Sequence, residues 1–277
     1  MQIHDVLNGA LLLIGKQLQA AESTGREEDV AVWRYLSDIW IFTIITGQVY
    51  VFEDYLTGLD PGRTPYVSTA LNARTDAMSR QGVALLFRTL DDLTDPIRKQ
   101  YILVLIDLLN FIAASGQHEA FENYLEDRHS LPPPVIAFFD TREEADAWLH
   151  NHPELPSYGH VLIGDEYYGI WYSREDSVRE LLRNHVMELF LDDYTSKPRP
   201  PAAASFNTRE EAMEWLASHP ASPMTLVAIA GEDHHAVFHK KFNRHTLHSI
   251  SRLREEREKQ KAEMEQQEDE EAEPSED

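Results

Sequence analysis

At 277 residues, 42% hydrophobic and 10% aromatic, the chain has enough apolar material for two or three packed domains, which excludes global disorder. Its net charge of −23 repels phosphate backbones, so nucleic acid is not an expected partner, whereas cations and basic proteins are. With no cysteine, disulfide frameworks, thiolate zinc sites and thiol nucleophiles are excluded outright.

Residues 1–130 read as an all-α helical bundle. Val6, Gly9, Leu12, Leu13 and Ile14, followed by Lys16 and Gln17, predict an amphipathic helix ending near Gly25. A second helix is predicted from Glu27 to Leu56, with Val30, Trp33, Leu36, Ile39, Trp40 and Ile44 at spacings of three and four. After the turn chemistry of Gly58-Leu59-Asp60-Pro61-Gly62, a third helix is expected over Val67–Leu90. Thr94-Asp95-Pro96 then offers a cap and a first-turn proline for a fourth, running to about Ala114 and stopping at Gly116. A shorter helix is expected over Glu119–Arg128. The apolar runs Ile39–Phe52 and Tyr101–Ala114 fall short of the ~20 residues that a membrane span needs. The N-terminus has no basic leader before its short apolar stretch, so no signal peptide is predicted. The expectation is a soluble, cytoplasmic protein.

Leu131-Pro132-Pro133-Pro134 marks the boundary at which the period changes. Beyond it lies an internal repeat. FDTREEADAWLHNHPELP, from Phe139 to Pro156, returns without a gap 67 residues later as FNTREEAMEWLASHPASP, from Phe206 to Pro223. Extended onward, this register sets Gly164 on Gly231 and Ile170-Trp171 on Val237-Phe238. Each copy reads as a β-α-β-β module: a strand, a helix capped at Thr141 or Thr208, and a hairpin turning at Gly164 or Gly231. The first module is placed at 135–194 with a closing helix over Glu175–Phe190, and the second at 202–250 after a proline-rich linker. Residues 251–277 should be a solvated charged helix without a heptad seam, then a disordered acidic end, EDEEAEPSED. The last fifteen residues, 263–277, hold nine carboxylates and no Lys or Arg, which sets that end apart from the modules. The predicted fold class is thus α+β and multidomain: a helical bundle over 1–130, two tandem repeat modules and an acidic tail.

Several residues invite a functional reading, and each has a plainer one. Glu143-Glu144 and Glu210-Glu211 diverge by about 100° on a helix, so they suit the helix dipole better than a shared catalytic site. Trp148 and Trp215 suit core anchors, and His152 and His219 suit helix C-caps held by the following proline. His234, His235, His239, His245 and His248 form a histidine-rich stretch in which His235 and His239 share one strand face, the candidate pair for a metal. In the 67-residue register His234, His235 and His239 stand where the first module has Tyr167, Tyr168 and Tyr172, which favours surface filling over ligation. No nucleophile elbow, P-loop, dinucleotide fingerprint, metalloprotease helix or EF-hand loop is present, so neither an enzyme nor a cofactor is expected. Asp107 and Asn110, on an otherwise apolar helix, are the hints of a polar pocket in the bundle.

The residues nominated for a partner surface are Tyr168, Trp171, Tyr172, His235 and His239, because hairpin aromatics resemble interface anchors. The function expected is a non-enzymatic, cytoplasmic protein–protein interaction protein. It would be a scaffold or regulatory inhibitor, in one concrete version an immunity protein neutralising a basic toxin. The alternatives are a histidine-dependent metal sensor and an enzyme with its site in the helical domain.

Overall fold

A computed structural model describes residues 2–60, 64–74, 76–128, 132–188, 201–219 and 224–272. The architecture is α+β: helices dominate the N-terminal part, and two four-stranded mixed sheets follow. The chain divides into two compact units, and the division does not follow chain order. One comprises Met1–Asp127 with Pro153–Gly159 and Trp171–Arg179; the other comprises Arg128–His152, His160–Ile170 and Glu180–Asp277.

In the helical unit, α1 (Ile3–Ser23) and α2 (Glu27–Ile45) bury Leu7, Ile14, Trp33, Leu36 and Ile39. The Trp40 indole N–H donates to the Leu7 carbonyl at 2.9 Å. The single helix expected over Glu27–Leu56 is broken at Gly47, which adopts φ +76°, and α3 (Val49–Thr57) leaves at 103° to α2. Gly47 N–H bonds to Ile44 O and Gln48 N–H to Thr43 O, the paired bonds that close a helix on a left-handed residue. The helix expected over Val67–Leu90 is also two: α4 (Thr69–Asn72) under a Ser68 cap and α5 (Ala77–Asp92) under an Asp76 cap, because a second side-chain acceptor restarts the chain. Helix α6 (Pro96–Ala114) starts as predicted, with Asp95 accepting from Ile97 N and Arg98 N, and α7 (His118–Asp127) completes the set. Among the described residues no single helix is long and apolar enough to cross a membrane. Asn110, a candidate pocket residue, instead clamps backbone: its side chain donates to Tyr66 O at 3.0 Å and accepts from Ser68 N at 2.8 Å. Asp107 is buried on the same helix.

Each repeat contains one strand more than expected. The first runs β1 (Val135–Phe139), α8 (Arg142–Asn151), β2 (Tyr158–Ile163), β3 (Glu166–Ser173) and β4 (Val178–Arg183). The second runs β5 (Ala204–Phe206), α9 (Arg209–Ser218), β6 (Met224–Ile229), β7 (Glu232–His239) and β8 (Arg244–Ser249), and α10 (Ile250–Ala272) follows. Both sheets are ordered as in the chain, with a parallel first pair closed by the helix. The closing helix expected over Glu175–Phe190 is corrected: Val178–Arg183 is strand, and the described chain turns helical only at 186–188. The expected β-α-β-β module is therefore β-α-β-β-β.

The 67-residue register fails after the helices. Phe139 pairs with Ile163 in the first sheet, but its repeat partner Phe206 pairs with Ile229, one residue earlier than that register requires. Gly164, at φ +61°, is thus matched by Ala230 at φ +51° rather than by Gly231, and Ser177 at φ +56° is matched by Asn243 at φ +47°. Because strand side chains alternate, one residue of slip reverses every face. His234 therefore corresponds to Tyr168, His235 to Gly169 and His239 to Ser173, so the matching to tyrosines is overturned for His235 and His239. Helix α10 carries residues 268–272 of the segment expected to be disordered, while residues 273–277 and most of the 196–201 linker lie outside the described residues.

Candidate functional site

The second unit has two kinds of core. Ala212 and Leu216 of α9 cover Val227, Ile229, Ala236 and Leu247, one face of their own sheet. The opposite face contributes Leu226 and Val237 to a cluster shared with Val135, Leu162, Tyr167 and Met187 of the first repeat and with Ile250 and Leu253 of α10. The second repeat and the part of the first that shares its unit thus bury apolar surface against one another, the arrangement expected when one small module cannot cover both of its faces.

Histidine is buried along this shared layer. His239 and His248 both reach the Thr246 hydroxyl through Nε2, at 3.0 and 2.8 Å, and His160 Nε2 accepts from Asn184 at 3.2 Å. One hydroxyl can donate to one imidazole and accept from the other, so both rings stay neutral without an unpaired proton. Burial lowers His160 and His239 to about 4, and burial followed by its cationic neighbours lowers His248 to about 3. Tyr167 lies among these rings, with centroids 6.1–6.2 Å from those of His160, His239 and His248.

Beside this layer opens a cleft of about 220 Å³, lined by Tyr167, His248, Ser249 and Leu253 and by a charged set. Arg183, Arg209 and Arg252 there face Asp165, Glu166, Glu188 and Glu256. Arg209 pairs with Asp165; Arg252 binds Glu166 at 2.6 Å and Glu256 at 3.0 Å. Arg183 reaches Glu256 at 2.6 Å and Glu188 at 3.1 Å. Glu188 is the buried member, its side chain 2% exposed, and His185 Nδ1 stands 3.2 Å from its Oε1. Burial, then the hydrogen bond to Glu256, holds the Glu188 carboxyl above the usual range. Partial burial acts upward on Glu256 too, but Glu188, Arg183 and Arg252 outweigh it and hold that carboxyl down. The Tyr167 hydroxyl is buried and has no hydrogen-bond partner among the described residues.

The nominated partner residues are scattered rather than gathered. Trp171 is 57% exposed. Tyr172 is half-buried against Tyr50 at a centroid distance of 5.5 Å. Tyr168 is half-buried under the Arg142 guanidinium of α8. His235 and His239 are buried, at 2% and 8% exposure, so they fill the layer and not the surface. They do not draw a third ligand: among the described residues, the group of three or more side chains able to hold a metal is His185, Glu188 and Glu256. His152 and His219 behave as caps, His219 Nδ1 lying 2.8 Å from Trp215 O and His152 N–H bonding Trp148 O. The one signal for the missed group was weak. Glu256 sits six residues after Ile250 and three after Leu253, an apolar pair that packs the start of α10 inward. No protein family, curated protein or solved structure matches the chain.

Proposed function

We propose that the chain is a non-catalytic interaction protein that engages a basic protein partner, as a scaffold or a regulatory inhibitor of the immunity type acting in the cytoplasm. The observation that carries this reading is Trp171, a residue 57% exposed on a strand that buries Tyr167, Gly169 and Ile170. Tryptophan is the side chain most enriched at interface hot spots, and leaving it in water has no folding benefit. The turn that follows presents the exposed carboxylates Glu175 and Asp176, and the net charge of −23 supplies a long-range attraction for cations. Charge of this kind speeds encounter, and a buried indole slows release.

The test is retention of basic proteins from native lysate on immobilised full-length chain and on a Trp171→Ala variant, at low and high salt. The expected result is a stoichiometric basic partner, weakened by salt, whose affinity falls about tenfold or more in the variant at unchanged melting temperature. A partner held equally by Trp171→Ala, or none held by either protein, removes this reading.

A further inference from the structure

The geometry points to a divalent metal site built from His185, Glu188 and Glu256, taking Zn²⁺ or Mn²⁺, with its open position on the cleft that Glu188, Glu256 and Tyr167 line. This inference is independent of the partner surface at Trp171.

The three donors arrive from separate elements. His185 lies just past β4, Glu188 in the helical turn at 186–188, and Glu256 on the second turn of α10. One ligand atom from each can be chosen so that all lie within 4.8 Å of one another, and the His185 Nδ1 to Glu188 Oε1 separation is already 3.2 Å. Ligands about 2.0–2.2 Å from a tetrahedral ion stand roughly 3.3 Å apart, which is the spacing that the His185 and Glu188 pair already has. Burying one carboxylate against another is costly without a cation between them. Arg183 partly fills that role, but its guanidinium is divided among Glu188, Glu256 and Glu166, the last at 3.5 Å from Nε. A metal replaces its contacts to the ligating pair and leaves Arg183 to Glu166.

A second observation points to an occupant of the same cleft. Tyr167 is 2% exposed and lines the cleft with Glu188 and Glu256, and its buried hydroxyl has no hydrogen-bond partner among the described residues. A buried hydroxyl in that state costs about 1–3 kcal/mol unless a ligand or a bound water satisfies it. Three protein ligands leave a zinc-like ion with such a water. The donor set, one imidazole nitrogen and two carboxylate oxygens without thiolate, favours Zn²⁺ or Mn²⁺ over Cu⁺ and over the all-oxygen cages of Ca²⁺.

The test is calorimetric titration of untagged full-length protein with Zn²⁺ alone and with Mn²⁺ alone. It is repeated on His185→Ala, Glu188→Gln and a His235→Ala, His239→Ala double variant. One ion per chain is expected, with affinity at least about tenfold weaker in His185→Ala and Glu188→Gln and unchanged in the double variant. His185 is 39% exposed, so His185→Ala stays informative if Glu188→Gln does not fold. No saturable binding, binding that survives His185→Ala, or binding lost in the double variant instead would overturn the site.

Discussion

Arg174 shows how much one side chain organises within the helical unit. Its guanidinium binds Asp54 through two parallel bonds of 2.8 and 3.0 Å, reaches Glu53 at 3.3 Å, and lies 4.4 Å over the Tyr50 ring. Its backbone N–H donates to the Tyr50 hydroxyl at 2.9 Å. The fork and the stacked plane belong to arginine, since lysine is a point charge. Arg174→Ala is expected to lower urea stability by about 1–2 kcal/mol, with Arg174→Lys recovering less than half of it. Equal stability of the lysine variant and the wild type would show that charge alone matters here. Some residues announced their roles in sequence: Thr208 and Glu211 form the reciprocal cap that their spacing requires. Arg174 did not, because its partners lie about 120 residues away in the chain. Glu188 did not either, because its neighbours gather only once β4 replaces the helix that the local pattern suggested.

At the level of elements, two of the unexpected features come from positive φ. Helix α2 ends at Gly47, where an added Cβ would lie 2.4 Å from the Pro156 Cβ. Gly47→Ala therefore meets both a left-handed backbone and an overlap, and should cost about 2–3 kcal/mol in denaturant titration. Nothing in the apolar period of Glu27–Leu56 marks this break; Gly47 itself was the signal, hidden in a run that reads as one helix. The slip between the repeats is of the same kind. Ala230 carries φ +51° at the place where the first hairpin uses Gly164. Ala230→Gly should relieve that strain and stabilise by about 0.5 kcal/mol, read as a rise in melting temperature. A fall would mean that Ala230 does not hold a strained left-handed backbone. Identity held the sequence alignment across the helices, but strand pairing answers to turn geometry and does not preserve it.

For the molecule as a whole, the histidines make stability depend on pH. His160 and His239 are held near 4 and His248 near 3, against an ordinary value of 6.5. Between these limits the unfolded chain binds more protons than the native one. Stability is therefore complete above pH 6.5 and is lost as pH falls toward about 4. Each ring contributes a loss of about 2 kcal/mol by pH 5. Urea midpoints taken from neutral pH to pH 5 should fall steeply, and a His248→Gln variant should show a shallower slope whatever its stability at neutral pH. An unchanged slope would mean that His248 titrates normally in the fold. The sequence by itself determined the helical first part, the capped repeat helices, the strand that opens each module and the acidic character. Each of these rests on contacts within a few residues or on composition. Only the tertiary structure decided the extra strand, the one-residue slip, the apolar layer that the two repeats share, and the company that Glu188 keeps. These depend on which face a strand turns inward and on what meets it there, and no local pattern records that.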